Sequence, residues 1–570
     1  MNKIFGENAD RLIDMTLGDL LDRTADVFPD VDGVVYNDRP FNKTYSEFRD
    51  TVDVTARGLM AIGVGKGSHV AIWATNYPEW IVLMFATAKI GATLVTVNTN
   101  YKIFEAEYLL KQSDSDTLVL MRGLKDTCYT DIINELCPTL KDSKPGELVS
   151  EDLPRLKRVI YIDRIEDTPA GMYHWSQLEK EAAKVSFEEM KAAQRSVDPD
   201  DVVNMQYTSG TTGFPKGVML THRGILNNGK CIGDNQKLTE KDRVCLPVPF
   251  FHCFGCVLGI MACVTHGSTI VPVERFNPVR TMNAIRDGRC TATYGVPTMY
   301  IAMLEHPDFG TYDFSTLRTG IMSGSPCPIK VMEQVVDSMH MSEITIPYGM
   351  TETSPVCTMT NTEDSIDKRV RTVGRKMPFL EVKVVDPETN EDLPPNTPGE
   401  VVVRGYSVMK GYYNMPEATA NAIDEGGWYH SGDLASVDEE GYFHITGRIK
   451  DMIIRGGENI YPKELEEFLY THPKVKDVQV IGVPDANYGE EVCACIILRD
   501  DVKENENVED LQAEFMEYVR ANISRHKKPR YIWFMDSFPM TASGKIQKFK
   551  MREMAVHHLN LGEAAKIETA

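Results

Sequence analysis

Residues His69 to Asn98 read HVAIWATNYPEWIVLMFATAKIGATLVTVN. A β-branched run, HVAIWAT at 69–75, opens the stretch, and a second, ATLVTVN at 92–98, closes it. Between them the chain is apolar, and the run IVLMFATAKIGATLVTV extends from Ile81 to Val97. Lys89 and Gly91 interrupt that run, so it reads as a buried helix passing into a buried strand rather than as a membrane span. A third run, DTLVLM, follows at 116–121. Strand-like runs alternating with helical ones argue for a parallel sheet wrapped by helices.

Working outward, residues 10–30 predict an amphipathic helix carrying Leu12, Leu17, Leu20 and Leu21. KDSKPGELVSEDLPR at 141–155 predicts a surface loop, and a second alternating block covers about 200–345. Between 370 and 446 the pattern shifts to short strands such as LEVKVVD, GEVVVRG and GYFHITG, which predict a small β-rich subdomain. The charged turn GRIKD at 447–451 is followed by a compact α+β stretch. Its expected elements are a helix at 462–472, strands near 477–483 and 491–498, and a helix at 508–523. The expected class is therefore α/β. A large N-terminal domain (1–449) would hold two doubly wound αβ subdomains and the β-rich one. A small, mobile α+β domain (450–570) would follow, hinged at Lys450. No internal repeat is visible.

The chain has 570 residues, too many for one ordinary core. Lys and Arg total 61 against 83 Asp and Glu, a formal charge of −22. So acidic a chain is a poor binder of nucleic acid or anionic membranes, and an anionic substrate must meet a local positive site. The start, MNKIFGENADRLIDMT, has no apolar core of a signal sequence and carries acids that a transit peptide avoids. Twelve cysteines make no disulfide framework in a chain of this length. The expectation is a cytoplasmic protein of a reducing compartment, without an integral membrane segment. Cys253 and Cys256 form a CxxC with no matching second pair, and read as two small apolar residues one helical turn apart.

The sharpest local feature is YTSGTTGFPKGVMLTH, from Tyr207 to His222. Gly210, Gly213 and Gly217 let the backbone turn and bring N–H groups close to an anion. Thr208, Ser209, Thr211 and Thr212 add hydroxyl donors, and Lys216 adds a point charge. Together they describe a cradle for a polyphosphate, although GxxxxGK[ST] does not fit.

The loop resembles the signature of the adenylate-forming superfamily, which includes acyl-CoA synthetases, 4-coumarate–CoA ligases, firefly luciferase and peptide-synthetase adenylation domains. The likeness spans nearly the whole chain. PFFHCFG (249–255), YGMTETS (348–354), GEVVVRGYSVMKGYYN (399–414), WYHSGD (428–433), GRIKDMIIRGGENIYPKELE (447–466) and PMTASGKIQK (539–548) follow in order.

The resemblance implies an ATP-dependent acid–thiol ligase. Tyr348 would stack on adenine, Thr351 would touch the α-phosphate and Glu352 would bind Mg²⁺, a hard cation suited to carboxylate. Gly324 and Ser325 resemble the adenine-binding loop. Asp433 would accept from the ribose hydroxyls, with Arg448 at ribose or phosphate. Lys545 would bridge the attacking carboxylate and the α-phosphate, placing positive charge where negative charge develops. Lys450, where many relatives have Asp, would be the hinge that alternates Lys545 with the GGENIYP loop, whose Gly457 would line the pantetheine tunnel of coenzyme A. His252, Gly349 and Met350 would line the acyl pocket. Short-acyl relatives carry Trp at the position of Gly349. Its absence favours a medium- or long-chain fatty acid, with an aryl acid of the cinnamate type second.

Partners implied are a small carboxylic acid, ATP, Mg²⁺ and coenzyme A, with room for a homodimer and none for nucleic acid. A peptide-synthetase domain would place an Asp near Phe250, and none is there. A luciferase would need luciferin and oxygen, and a fatty acyl-AMP ligase would serve a carrier protein instead of coenzyme A. A catalytically silent nucleotide binder should lack at least one of Lys216, Glu352, Asp433, Arg448 and Lys545, and all are present.

Overall fold

The computed structural model describes residues 2–208, 215–324, 327, 329–455, 458–485, 488–503, 507–523, 527–541 and 546–562. By packing, the chain forms two compact units, one of Met1–Val382 with Val403–Tyr429, the other of Lys383–Val402 with His430–Ala570. Lys450 lies inside the second unit.

Among the described residues the first unit holds two seven-stranded sheets. One runs in the order Lys216–Thr221, Val202–Thr208, Thr93–Thr96, His69–Trp73, Thr117–Leu120, Arg158–Tyr161, Tyr173–His174. Its strands are parallel except for the antiparallel pair at the Lys216–Thr221 edge. The stretch from His69 thus folds as read, with helix Pro78–Lys89 between strands His69–Trp73 and Thr93–Thr96. Every residue of that helix but Glu79 is buried, which is why its sequence is apolar all round. Pro78 opens it at the first helical position, where a missing N–H costs nothing. Among the described residues no helix is long and apolar enough to cross a membrane.

The second sheet runs Glu343–Thr345, Thr319–Met322, Ala292–Gly295, Arg243–Leu246, Thr269–Pro272, Asp32–Val35, Asn42–Thr44, and only the last pair is antiparallel. Asn76, just past strand His69–Trp73, stitches the two sheets together. Its amide donates to the carbonyls of Val248 (2.9 Å) and Val273 (3.0 Å), and its oxygen accepts from the Phe250 N–H at 2.9 Å. These contacts gather the carboxyl ends of parallel strands, where open α/β sheets place their ligands.

The second unit carries most of a four-stranded sheet in the order Leu380–Val385, Gly399–Gly405, Tyr429–Val437, Phe443–Arg448. Beyond it, strands Val475–Asp485 and Gly489–Leu498 form a long antiparallel pair. Helices Pro462–Tyr470 and Val508–Asn522 contribute Leu465, Leu469, Leu511 and Phe515 to one core with them. The elements expected at 462–472, 477–483, 491–498 and 508–523 are therefore all present, each within a few residues of its expected ends.

Candidate active site

Strands Val202–Thr208 and Lys216–Thr221 form a hairpin whose register pairs Thr208 with Lys216. The two described ends of the Gly/Thr-rich loop therefore face each other. Ser209, Gly210, Thr211, Thr212 and Gly213 lie outside the described residues. Gly217 is closely packed here: a β-carbon would sit 3.1 Å from the Tyr207 hydroxyl oxygen and 3.0 Å from the Met205 sulfur, so those side chains would have to shift slightly to admit one. The outer edge of Lys216–Thr221 is covered by the segment 409–413. Tyr413 N–H donates to the Gly217 carbonyl at 2.8 Å, Met219 N–H to Gly411 at 3.0 Å, and Lys410 N–H to Met219 at 2.9 Å.

The YGMTE motif is a second hairpin, Pro347–Gly349 against Val356–Met359, with Thr351–Thr353 as a single 3₁₀ turn between them. The turn ends at Ser354 in the left-handed conformation, φ 65°. Asn228 of helix His222–Asn235 holds the returning strand, accepting from Val356 N–H at 3.1 Å and donating to its carbonyl at 2.7 Å. Thr351 and Glu352 are both buried. Glu352 Oε1 accepts from the Tyr412 hydroxyl at 2.9 Å, and its carbonyl accepts from Met409 N–H at 2.8 Å. The Lys216 ammonium lies over the Tyr412 ring, 4.8 Å from its centre. Burial and the neighbouring Glu352 carboxylate push the Tyr412 phenol well above its usual range, so it remains a donor.

Among the described residues no lysine, arginine or histidine pairs with Glu352. A buried carboxylate without a cation is costly. One oxygen is taken by Tyr412, which leaves the other for a hard divalent ion, so the site fits Mg²⁺.

His252 and Thr351 approach each other through Cys253, whose sulfur is 3.6 Å from His252 Nδ1 and 3.8 Å from Thr351 Oγ1. His252 Nδ1 also accepts from Phe254 N–H at 3.1 Å. Helix Phe254–Met261, which this turn opens, is wound as a π-helix, a form that recurs at functional sites. Cys253 and Cys256 are buried free thiols, and Gln206 Nε2 donates to the Cys256 sulfur at 3.1 Å. Gly324, with φ 93°, follows strand Thr319–Met322, and the Ser323 hydroxyl donates to the Pro347 carbonyl at 2.9 Å. The loop carrying Gly324 is thereby tied to the start of strand Pro347–Gly349. Ser325 lies outside the described residues.

In the second unit, Asp433 and Arg448 are register partners on strands Tyr429–Val437 and Phe443–Arg448. Arg448 Nε is 2.9 Å from Asp433 Oδ1, the acid buried and the arginine half exposed. The turn before Asp433 is braced by Glu400, whose Oε1 accepts from Gly432 N–H at 2.8 Å while its Oε2 lies 2.9 Å from His430 Nδ1. Ser431 Oγ donates to the Val401 carbonyl at 2.6 Å and accepts from Asp433 N–H at 3.0 Å. Lys450 sits at the surface in the turn Ile449–Asp451, and partial desolvation, with the Arg448 charge beside it, holds its ammonium below the usual lysine range. Gly457 and Lys545 lie outside the described residues. Among the described residues that flank it, Met540 pairs with Ile546, and Lys548 donates to Glu466 at 2.5 Å and to the Val480 carbonyl at 3.1 Å.

Within the first unit the fold thus brings together Lys216 with Glu352, through Tyr412, and Thr351 with His252, through Cys253. Within the second it joins Asp433 to Arg448. Tyr412 and Glu400 both lie in GEVVVRGYSVMKGYYN, and nothing in that string marks either of them as functional. An acid or phenol inside a strand motif, aligned with nothing nearby in sequence, gives no signal of its partner.

The family described as AMP-binding enzyme matches residues 21–413, and the AMP-binding enzyme C-terminal domain matches 464–545. The chain is 54% identical over 553 residues to a Bacillus subtilis (strain 168) protein carrying the provisional name acyl-CoA synthetase YngI, covering 97% of this chain and 99% of that one. It is 41% identical over 557 residues to the mitochondrial medium-chain acyl-CoA ligase ACSF2 of Bos taurus, covering 96% and 89%. The crystal structure of the anthranilate CoA ligase AuaEII in complex with anthranoyl-AMP superposes with a TM-score of 0.84 at 25% identity, over 97% of this chain and 100% of that one.

Proposed function

The chain belongs to the AMP-binding enzyme family, and from that premise we propose that it joins a medium- or long-chain fatty acid to coenzyme A through an acyl-adenylate. It is an enzyme of the acid–thiol ligase class, and it binds ATP or AMP. The observation that carries the site reading is the pair Lys216 and Glu352, a phosphate-loop cation and a buried carboxylate with no basic partner among the described residues, both in contact with Tyr412.

In the first half-reaction the acid's carboxylate attacks the α-phosphate of ATP in line and pyrophosphate leaves. Thr208, Ser209, Gly210, Thr211, Thr212, Gly213 and Lys216 cradle the phosphates. Tyr348, Gly324 and Ser325 hold the adenine, Asp433 and Arg448 the ribose, and Thr351 and Lys545 the α-phosphate. Positioning and charge neutralisation carry most of such a displacement. Mg²⁺, held by Glu352, would neutralise the leaving phosphates. In the second half-reaction the thiol of coenzyme A attacks the acyl carbonyl and AMP leaves. Rotation about Lys450 replaces Lys545 with the loop of Gly457, which admits the pantetheine arm. His252, Gly349 and Met350 line the acyl pocket, which must exclude water because the mixed anhydride is reactive.

The medium-chain name of ACSF2 supports the fatty-acid reading. The likeness to an anthranilate ligase supports an aryl acid as the second reading. The test is coenzyme-A-dependent pyrophosphate release with acetate, hexanoate, octanoate, decanoate, palmitate, anthranilate and cinnamate. The expected maximum of kcat/KM lies among hexanoate to palmitate. A maximum at an aryl acid would move the assignment to the second reading, a maximum at acetate would refute both, and no pyrophosphate with any acid would remove the activity.

A further inference from the structure

Tyr412 touches both charges of the proposed nucleotide site. Its hydroxyl donates to Glu352 Oε1 at 2.9 Å, and its ring carries the Lys216 ammonium at 4.8 Å. Its backbone is fixed from both sides. The Tyr412 N–H donates to Thr419 Oγ1 at 2.9 Å, and the residue bridges to Val218 on the strand that begins at Lys216. Gly411 before it has φ 134°, and a β-carbon there would lie 2.9 Å from Thr419 Cγ2. The phenol oxygen in turn accepts from the Tyr429 hydroxyl. Lys216 thus meets the ring and Glu352 the hydroxyl of one side chain, and the two make no salt bridge with each other.

We propose that Tyr412 is a positioning residue that keeps the Lys216 ammonium and the Glu352 carboxylate apart and oriented before the nucleotide binds, so that one meets phosphate and the other meets the metal. The inference rests on the reading of these two residues as nucleotide and metal ligands. A group that orients a metal ligand from behind acts at one remove, and its loss typically costs 10–100-fold in metal affinity.

The experiment measures binding of Mn²⁺·ATP by electron paramagnetic resonance and of metal-free ATP by calorimetry, without acid or turnover. Tyr412→Phe keeps the ring and loses the hydroxyl. It is expected to weaken Mn²⁺·ATP by about 10–100-fold, to leave metal-free ATP unchanged, and to add no further loss in a Glu352→Gln background. Tyr429→Phe, which removes the donor behind Tyr412, should shift Mn²⁺·ATP in the same direction by less, and keeps the test open if Tyr412→Phe does not fold. Wild-type affinity for Mn²⁺·ATP in both variants, or an equal loss with Glu352→Gln present, overturns the inference while the nucleotide site stands. A wild-type chain that binds no Mn²⁺·ATP removes the site reading itself, and the inference with it.

Discussion

The α-carbon of Gly349 lies against the carbonyl oxygen of Pro355, so that a β-carbon built on it would stand 1.8 Å from that oxygen and 3.0 Å from the Val356 α-carbon. The glycine is therefore imposed by the hairpin that carries Thr351 and Glu352, whatever the shape of the acyl pocket. Gly349→Ala should push the Pro355–Val356 backbone away and cost about 1–3 kcal/mol, the usual penalty of overpacking. kcat/KM should fall for short and long acids together, because Glu352 moves with the hairpin. A chain-length profile of Gly349→Ala that loses only the long acids, with an unchanged melting temperature, would show instead that the position senses the acyl chain.

Residues His69–Asn98 announced their own fold because both faces of the strands and nearly every side of the intervening helix are buried, so that Glu79 and Lys89 are the helix's two charged residues. Helix Pro462–Tyr470 was legible for the opposite reason, a one-sided pattern in which Leu465 and Leu469 face the core one turn apart while Glu464 and Glu467 face outward. Loop chemistry was legible too, since a run of glycines and hydroxyls ending in Lys216 has few other uses. Asn76, Glu400 and Tyr412 were not legible. Each is a polar residue whose partner is remote in the chain: Val248, Gly432 and Glu352. Nothing in a local window separates such a residue from one facing water. The clash at Gly349 was hidden for a related reason, since a glycine does not reveal which atom occupies the place of its side chain.

Lys545→Ala separates the two half-reactions. Losing one preorganised donor at a developing charge costs about 10²–10³ in rate. Pyrophosphate–ATP exchange driven by octanoate should fall by at least that factor. Transfer to coenzyme A from a synthetic octanoyl-adenylate should stay within a few-fold of the wild type, because in the proposed second pose the lysine has left the site. Equal losses in both assays would contradict the alternation about Lys450.

Lys89 is fully buried between helices and pairs with Asp22 at 2.5 Å and with Asp53. Asp22 also receives Lys191 at 2.5 Å and Gln194 at 2.8 Å. Breaking a buried pair from one side strands the opposite charge, at about 3–5 kcal/mol. Lys89→Met should lower the urea midpoint accordingly. Adding Asp53→Asn should recover part of the loss, because one stranded carboxylate is then neutral. If the double variant is less stable than Lys89→Met alone, the network is held together by packing and not by charge.

His222 follows the strand that leaves the phosphate loop and opens helix His222–Asn235, and it is a buried neutral acceptor. Its Nδ1 takes the Leu17 N–H at 3.1 Å, and burial pulls its pKa from 6.5 down to about 4 against the opposing pull of Asp201 and Asp19. The unfolded chain therefore binds a proton on this ring at a higher pH than the folded chain does. Above about pH 6.5 neither state is charged there, and the residue's full contribution to stability is present. As pH falls from 6.5 to about 4, only the unfolded state gains the proton, and stability declines by about 3 kcal/mol in total. Below the folded value both states are protonated and the dependence flattens. His222→Asn should be less stable than the wild type at pH 7, for want of a well-placed acceptor, and should show a shallower fall across that window. Subtracting the two urea-derived stability curves removes the carboxylates common to both chains. A difference that does not change between pH 6.5 and 4 would mean that the ring titrates alike in the folded and unfolded chain.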